Sequence, residues 1–132
     1  MKHSGQCHCG AIYVAFETGH PLAPRACQCS FCRKHNARNV TDPDGSAVLT
    51  LGDEVIRYRF GSGSTDFLIC GRCGVYVGAL TEIESRLYAT LNLNAFYDPR
   101  LDLEAAPVSY DDEDAAAKAD RRRDRWTPAR IG

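Results

Sequence analysis

Thr65-Asp66-Phe67-Leu68-Ile69-Cys70-Gly71-Arg72-Cys73-Gly74-Val75-Tyr76-Val77-Gly78-Ala79-Leu80 is the stretch from which the fold is read. Residues 65–69 and 75–80 are rich in apolar, β-branched and aromatic side chains, the signature of strands, and Gly71 and Gly74 punctuate the turn between them. The turn carries a Cys-x-x-Cys pair, so two strands and two thiols are bound into one hairpin. Outward from it the pattern repeats. Ala11 to Phe16 is a strand stopped by Thr18-Gly19-His20-Pro21, and Ser46 to Leu51, Val55 to Phe60 and Leu87 to Leu93 read the same way. Closely spaced strands with short connections predict an antiparallel all-β core. From Arg33 to Asp44 the chain is polar and ends in Asp42-Pro43-Asp44-Gly45, which reads as a loop with one helical turn after the preceding cysteines.

Seven cysteines fall into three short-spaced groups, Cys7-x-Cys9, Cys27-x-Cys29-x-x-Cys32 and Cys70-x-x-Cys73. Four thiolates close a tetrahedral zinc site and three leave a position open, so seven is the arithmetic of one structural and one reactive zinc. A disulfide framework fits poorly, because the count is odd and Met1-Lys2-His3-Ser4-Gly5 is no apolar leader. The expected compartment is therefore reducing, the cytoplasm, where clustered cysteines are metal ligands or redox groups. Spacing allows two partitions. Cys29, Cys32, Cys70 and Cys73 would make a zinc ribbon and leave Cys7, Cys9 and Cys27 over. Alternatively, Cys7 and Cys9 join Cys70 and Cys73. Loop closure favours the second, since three ligands inside six residues gather on one ion at almost no entropic cost.

A chain of 132 residues with 44% hydrophobic and 25% charged residues suits one globular unit, and a net charge of -1 gives no general nucleic-acid signal. No apolar run approaches the roughly 20 residues that a bilayer requires. A small partner is expected, with neither membrane nor nucleic acid. Residues 1–110 read as a zinc-binding β domain and 111–132 as a helical tail packed on it or extending from it. The tail runs from Asp111-Asp112-Glu113-Asp114 through alanines to Arg121-Arg122-Arg123-Asp124-Arg125, acid first and base last, as a helix macrodipole favours. The adjoining acids neutralise the arginines, which reads as a solvated terminal helix, with Trp126 anchoring it.

Gly5-Gln6-Cys7-His8-Cys9-Gly10-Ala11, Cys27-Gln28-Cys29-Ser30-Phe31-Cys32-Arg33-Lys34 and Phe67-Leu68-Ile69-Cys70-Gly71-Arg72-Cys73-Gly74 together resemble the glutathione-dependent formaldehyde-activating family, also called the centromere-protein-V-like family. The match is ordered over residues 5–80 and includes all seven cysteines. The resemblance implies a β-tent fold of coiled β-sheets. It also implies a structural zinc at Cys7, Cys9, Cys70 and Cys73 and a catalytic zinc at Cys27, Cys29 and Cys32. The implied activity is that of an S-(hydroxymethyl)glutathione synthase, a carbon-sulfur lyase. This chain has Gln28 where members often carry His, and His35-Asn36-Ala37-Arg38 where a Gly-Ala pair is common.

At such an open zinc an entering thiol is held as thiolate and can attack a carbonyl carbon such as that of formaldehyde. Arg33, Lys34 and Arg38 follow the trio and are candidates to receive the carboxylates of glutathione or another acidic ligand, and His35 is the candidate proton shuttle or fourth ligand. Gly61-Ser62-Gly63-Ser64-Thr65 offers backbone N–H groups to an anion, or is only a hairpin turn. The rival to catalysis is a scaffold or binding module in which zinc only staples hairpins. An incomplete ligand set argues against it, because a structural site normally acquires a fourth protein ligand.

Overall fold

Eleven strands carry the chain: β1 (Lys2–Gln6), β2 (Tyr13–Glu17), β3 (Arg25–Cys27), β4 (Asn39–Val40), β5 (Ser46–Thr50), β6 (Val55–Tyr58), β7 (Thr65–Cys70), β8 (Tyr76–Ile83), β9 (Arg86–Asn92), β10 (Ala106–Val108) and β11 (Thr127–Ile131). Two α-helices, α1 (Ser30–His35) and α2 (Ala115–Arg125), and two short 3-10 turns complete it. This computed structural model describes residues 1–132. No helix is long and apolar enough to cross a membrane.

The strands form one open, branched sheet, and the branch is at β9. Along one edge β9 pairs with β8 from Gly78 to Ile83, through a two-residue turn at Glu84 and Ser85 with φ of 52° and 67°. Two successive left-handed residues match the twist of the flanking strands, so the hairpin is tight. β8 continues to β7 and β7 to β6, both antiparallel. On the other edge β9 is shared. Leu87 to Ala89 pair with β11, and Leu91 and Asn92 pair with β4. From β11 the sheet runs to β5, β2 and β1, and from β4 to β3 and β10. Thr90 sits between the two branches, and the sheet opens there.

One expectation is corrected by this topology. The core is not wholly antiparallel: β11 lies parallel to β5, and β10 parallel to β3. Both parallel strands arrive from the C-terminal part of the chain, which fills edges left open by the earlier meander. Residues 111–132 are likewise more than a helical tail. After α2, the strand β11 inserts between β5 and β9, and Thr127 at its start is fully buried.

Alternation explains the main core. β1 and β2 bury every second residue, and so does β5 through Ala47 and Leu49. Ile12, Val14, Phe16, Leu49, Leu68, Val77, Leu91 and Leu93 are almost fully enclosed in one cluster that includes Cys7 and Cys70. Central strand β8 is buried at six consecutive positions, Tyr76 to Thr81, because it is covered on both faces. A second small cluster of Phe31, Cys32, Ala37 and Tyr76 packs under the branch point and carries the contiguous cysteines.

Candidate functional site

The sulfurs assemble into two groups, Cys7, Cys9, Cys70 and Cys73 in one and Cys27, Cys29 and Cys32 in the other. Within each group the ligand atoms lie within 4.8 Å of one another. This is the second of the two partitions that spacing allows.

The four-sulfur group is built from two equivalent turns. In the first, Gly10 N–H donates to Cys7 O at 3.2 Å and Cys7 N–H to Ile12 O at 3.0 Å; in the second, Gly74 N–H donates to Cys70 O at 2.8 Å and Cys70 N–H to Val75 O at 3.0 Å. Gly10 and Gly74 adopt φ of 83° and 81°, a left-handed conformation that closes each turn after its second cysteine and that a side chain would strain. Backbone N–H groups aim at the sulfurs: Ile12 N–H donates to Cys7 Sγ at 3.2 Å, and Arg72 and Cys73 N–H to Cys70 Sγ at 3.4 Å. Such bonds favour thiolates. Burial opposes ionisation of Cys73, yet the N–H groups of Cys9 and Val75 hold its thiol down at about 6. Four sulfurs each about 2.3 Å from a common centre stand roughly 3.8 Å apart in a tetrahedron. Cys7 and Cys9 are 3.8 Å apart and Cys9 and Cys70 3.6 Å apart, so the donor set fits a zinc ion.

The three-sulfur group is organised by α1. Cys29 is its N-cap, with extended backbone and its Sγ accepting from Cys32 N–H at 3.4 Å, which does the work usually given to Ser or Asp. Asn36 ends the helix in the left-handed conformation, φ 48°. Cys27 comes from β3 and Cys32 from the buried face of α1, so six residues of sequence bring three sulfurs to one point. Their protonation conflicts. Hydrogen bonds from Cys27 and Cys32 hold Cys29 far below the usual thiol range, whereas hydrogen bonding to Cys27 and Cys29, followed by burial, pushes Cys32 well above it, and the hydrogen bond with Cys29 raises Cys27 as well. A divalent cation would resolve that conflict, since it lets all three ionise together.

Around Cys32 lies a buried polar chain. Asn39 Nδ2 donates to Cys32 Sγ at 3.5 Å, the Tyr76 hydroxyl donates to Asn39 Oδ1 at 3.4 Å, and Asn92 Nδ2 donates to Tyr76 O at 2.9 Å. Burial, followed by the charges of Cys32, Cys29 and Cys27, raises the Tyr76 phenol well above its ordinary value, so it stays a proton donor. Phe31 packs edge-on against Tyr76 with ring centres 5.0 Å apart and beside Phe67 at 4.6 Å, which fixes this wall.

A cavity of about 240 Å³ opens where the sheet branches, and Cys27, Cys29 and Cys32 line it, whereas none of Cys7, Cys9, Cys70 and Cys73 does. Phe60, Phe67, Tyr76 and Trp126 supply apolar wall, and Arg25, Lys118, Arg121 and Arg122 supply positive charge against the single carboxylate of Asp111. Arg33, Lys34, His35 and Arg38 are not among the lining residues. Arg33 and Lys34 are exposed on the last turn of α1. The His35 ring lies 4.4 Å from Phe31 and 5.5 Å from Tyr76, centre to centre, and no ligand group includes it. Arg38 braces the chain, donating to Asn94 Oδ1 at 2.7 Å and to the carbonyls of Leu101 and Leu103 at 3.1 and 2.8 Å.

The cations of the cavity come instead from β3 and α2. The arginine cluster, expected as a solvated face, is in part enclosed, with Arg121 and Arg122 half-buried. The available signal was spacing: Lys118, Arg121, Arg122 and Trp126 recur at intervals of three, one and four, one stripe of a helix. Gly61 to Thr65 meets this stripe through side chains, since Arg122 donates to Ser64 Oγ at 3.0 Å and to Thr65 Oγ1.

A model of the family described as glutathione-dependent formaldehyde-activating enzyme matches residues 2–107. Among solved structures, a crystal structure of a Rhodobacter sphaeroides protein is similar over 80% of this chain and 99% of that one, with 25% sequence identity and a TM-score of 0.60.

Proposed function

Because the chain belongs to the glutathione-dependent formaldehyde-activating enzyme family, we propose that it joins or splits a glutathione-like thiol and a small carbonyl compound at Cys27, Cys29 and Cys32. The reaction is of the carbon-sulfur lyase type. In the direction of joining, a bond forms between the thiol sulfur and the carbonyl carbon, and the thiol proton ends on the carbonyl oxygen. The observation that carries this reading is that the three-sulfur group faces the cavity while the four-sulfur group does not.

Cys7, Cys9, Cys70 and Cys73 are assigned to a structural zinc and Cys27, Cys29 and Cys32 to a reactive one. Zinc at three thiolates supplies a place where an incoming thiol is stabilised as thiolate. The chain's own residues do the rest. Phe60, Phe67, Tyr76 and Trp126 exclude water from the reacting groups, and Asn39 holds Cys32 in place through its amide. The thiol proton passes to the carbonyl oxygen through a polar group of the cavity. With zinc bound all three sulfurs would be anionic, so placing the nucleophile would matter more than polarising the carbonyl.

The branched sheet is, in this reading, the β-tent that the family resemblance implies, with zinc joining its hairpins. Residues 1–110 form the zinc-binding unit, and 111–132 complete its sheet and close its cavity. Seven free thiols suit a reducing compartment, so we place the protein in the cytoplasm. The test is turnover of glutathione and formaldehyde by zinc-loaded protein, followed by NMR exchange, with Cys32→Ser as control. Exchange at the uncatalysed rate, with both zincs bound, would favour a zinc-stapled scaffold instead.

A further inference from the structure

One wall of the cavity comes from residues 108–126, outside the span 2–107 that matches the family, and Arg25, two residues before Cys27, adds a cation from β3. Its charges are unequal. Arg121 is already neutralised, paired with Glu113 at 2.9 Å and lying 3.6 Å over the Tyr110 ring. Arg122, Lys118 and Arg25 form no ion pair. Arg25 spends Nη2 on Thr41 Oγ1 at 2.6 Å. Arg122 spends only Nη1, on Ser64 and Thr65, while its guanidinium lies 4.9 Å from the Trp126 ring centre. Its Nε is buried without a hydrogen-bond partner, alone among the buried side-chain polar atoms of the protein. A half-buried guanidinium that keeps donors unpaired, beside two further unpaired cations and aromatic walls, is costly in isolation and complementary to an anion. Carboxylate is the anion that a planar guanidinium matches best among groups a small thiol commonly carries.

We propose that Arg122, with Lys118 and Arg25, forms the carboxylate-binding end of the cavity, so that the site selects small thiols or thiol adducts bearing a carboxylate. The inference rests on the reading of Cys27, Cys29 and Cys32 as the place where thiol enters. A ligand bridges the cavity, sulfur toward the cysteines and carboxylate toward α2. Arg122 is the specificity-determining residue because it alone is fixed by Ser64, Thr65 and Trp126 through Nη1 and the ring face, and so presents its unpaired Nη2 in a set direction. Asp111, exposed at the rim, disfavours a second negative charge near it.

The test is the full-length, cobalt-loaded protein titrated with 3-mercaptopropionate, 2-mercaptoethanol and cysteamine, with dissociation constants read from the cobalt absorption bands. A charge-assisted hydrogen bond to a desolvated guanidinium predicts that the wild type prefers 3-mercaptopropionate to 2-mercaptoethanol by about 10- to 100-fold, with cysteamine weakest. Arg122→Met is expected to bring that ratio within about threefold of one and leave 2-mercaptoethanol binding unchanged. Because Arg122 also anchors Ser64 and Thr65, Lys118→Met, which removes no internal ion pair, is measured beside it and is expected to lower the ratio by about threefold. A wild type without the preference, or variants that fold and retain it, overturns the inference alone. Cobalt bands that no thiol moves overturn the thiol-entry reading and this inference with it.

Discussion

The Asn39 amide donates to the Cys32 sulfur at 3.5 Å and accepts the Tyr76 hydroxyl at 3.4 Å, so one buried side chain couples the three-sulfur group to the aromatic wall of the cavity. Asn39→Ala removes a donor to the thiolate and leaves the Tyr76 hydroxyl without its acceptor. Zinc affinity of the three-sulfur group is expected to fall by about 10-fold, in the range of outer-sphere substitutions at metal sites. Stability is expected to fall by about 1–3 kcal/mol, the cost of an unpaired buried polar group. Chelator competition and denaturant melts measure the two effects, and a variant with undiminished metal affinity would show that the amide does not tune the sulfur.

The two cysteine groups are expected to respond oppositely to substitution. Cys70→Ser strikes a buried ligand that joins the β7–β8 turn to the β1–β2 turn, and structural zinc contributes on the order of 10 kcal/mol in small modules. Loss of cooperative thermal unfolding is expected. Cys29→Ser keeps a serviceable helix N-cap, since Ser is a preferred residue there, and should leave the melting temperature within a few degrees while abolishing turnover. Equal unfolding of both variants, followed by circular dichroism, would mean that both groups only hold the fold.

Deleting residues 127–132 is expected to prevent folding rather than trim a tail. The deletion strips β5 and β9 of a shared neighbour and exposes two interior strand edges. A finer probe is Thr127→Val, because the Thr127 hydroxyl oxygen accepts from Asp42 N–H at 2.8 Å in a fully buried place. A loss of about 1–3 kcal/mol in urea unfolding is expected. Normal folding of the truncated chain would contradict the central place of β11.

Acid sensitivity is expected to pass through Asp42. Burial opposes its ionisation, but the Thr18 hydroxyl and Asp44 N–H outweigh that and hold the carboxyl below its ordinary value. A folded-state value below the unfolded one, about 3.9, means that this stability is fully present above about pH 4. It is lost as pH falls through the folded-state value, because the unfolded chain takes up the proton first. Asp42→Asn should therefore be less stable at pH 7 and show a flatter decline between pH 5 and 3, measured by thermal melts of the metal-loaded protein. An unchanged slope would assign the acid limb to other groups, the zinc thiolates first.

Strands β5 to β9 were legible because each is a run of apolar, β-branched and aromatic residues bounded by turn residues, a local signal that needs no distant partner to be recognised. β3, β4 and β10, with two or three residues each, were not, since nothing in Arg25–Cys27, Asn39–Val40 or Ala106–Val108 differs locally from a loop. α1 was read as a turn after the cysteines, whereas it begins inside them, because a cysteine N-cap lies outside the usual capping residues. The grouping of the seven thiols was narrowed by loop-closure entropy to the arrangement the fold adopts. The basic residues beside Cys32 attracted the anion-binding role by proximity in sequence, yet α1 turns Arg33 and Lys34 to solvent and the fold spends Arg38 on carbonyls of a distant loop.

Sequence alone determined the chemistry available to this protein: seven thiols in metal-binding spacing, strands to carry them, and the family to which they belong. Those are local properties, written in short intervals along the chain. Tertiary structure decided where that chemistry is exposed, because the cavity exists only where β9 divides its pairing between β11 and β4. Its cationic wall exists only because a helix 82 residues beyond Asn39, at Arg121, folds back across the gap. Contacts at such separation depend on the summed packing of the whole sheet, and no interval of the sequence encodes them by itself.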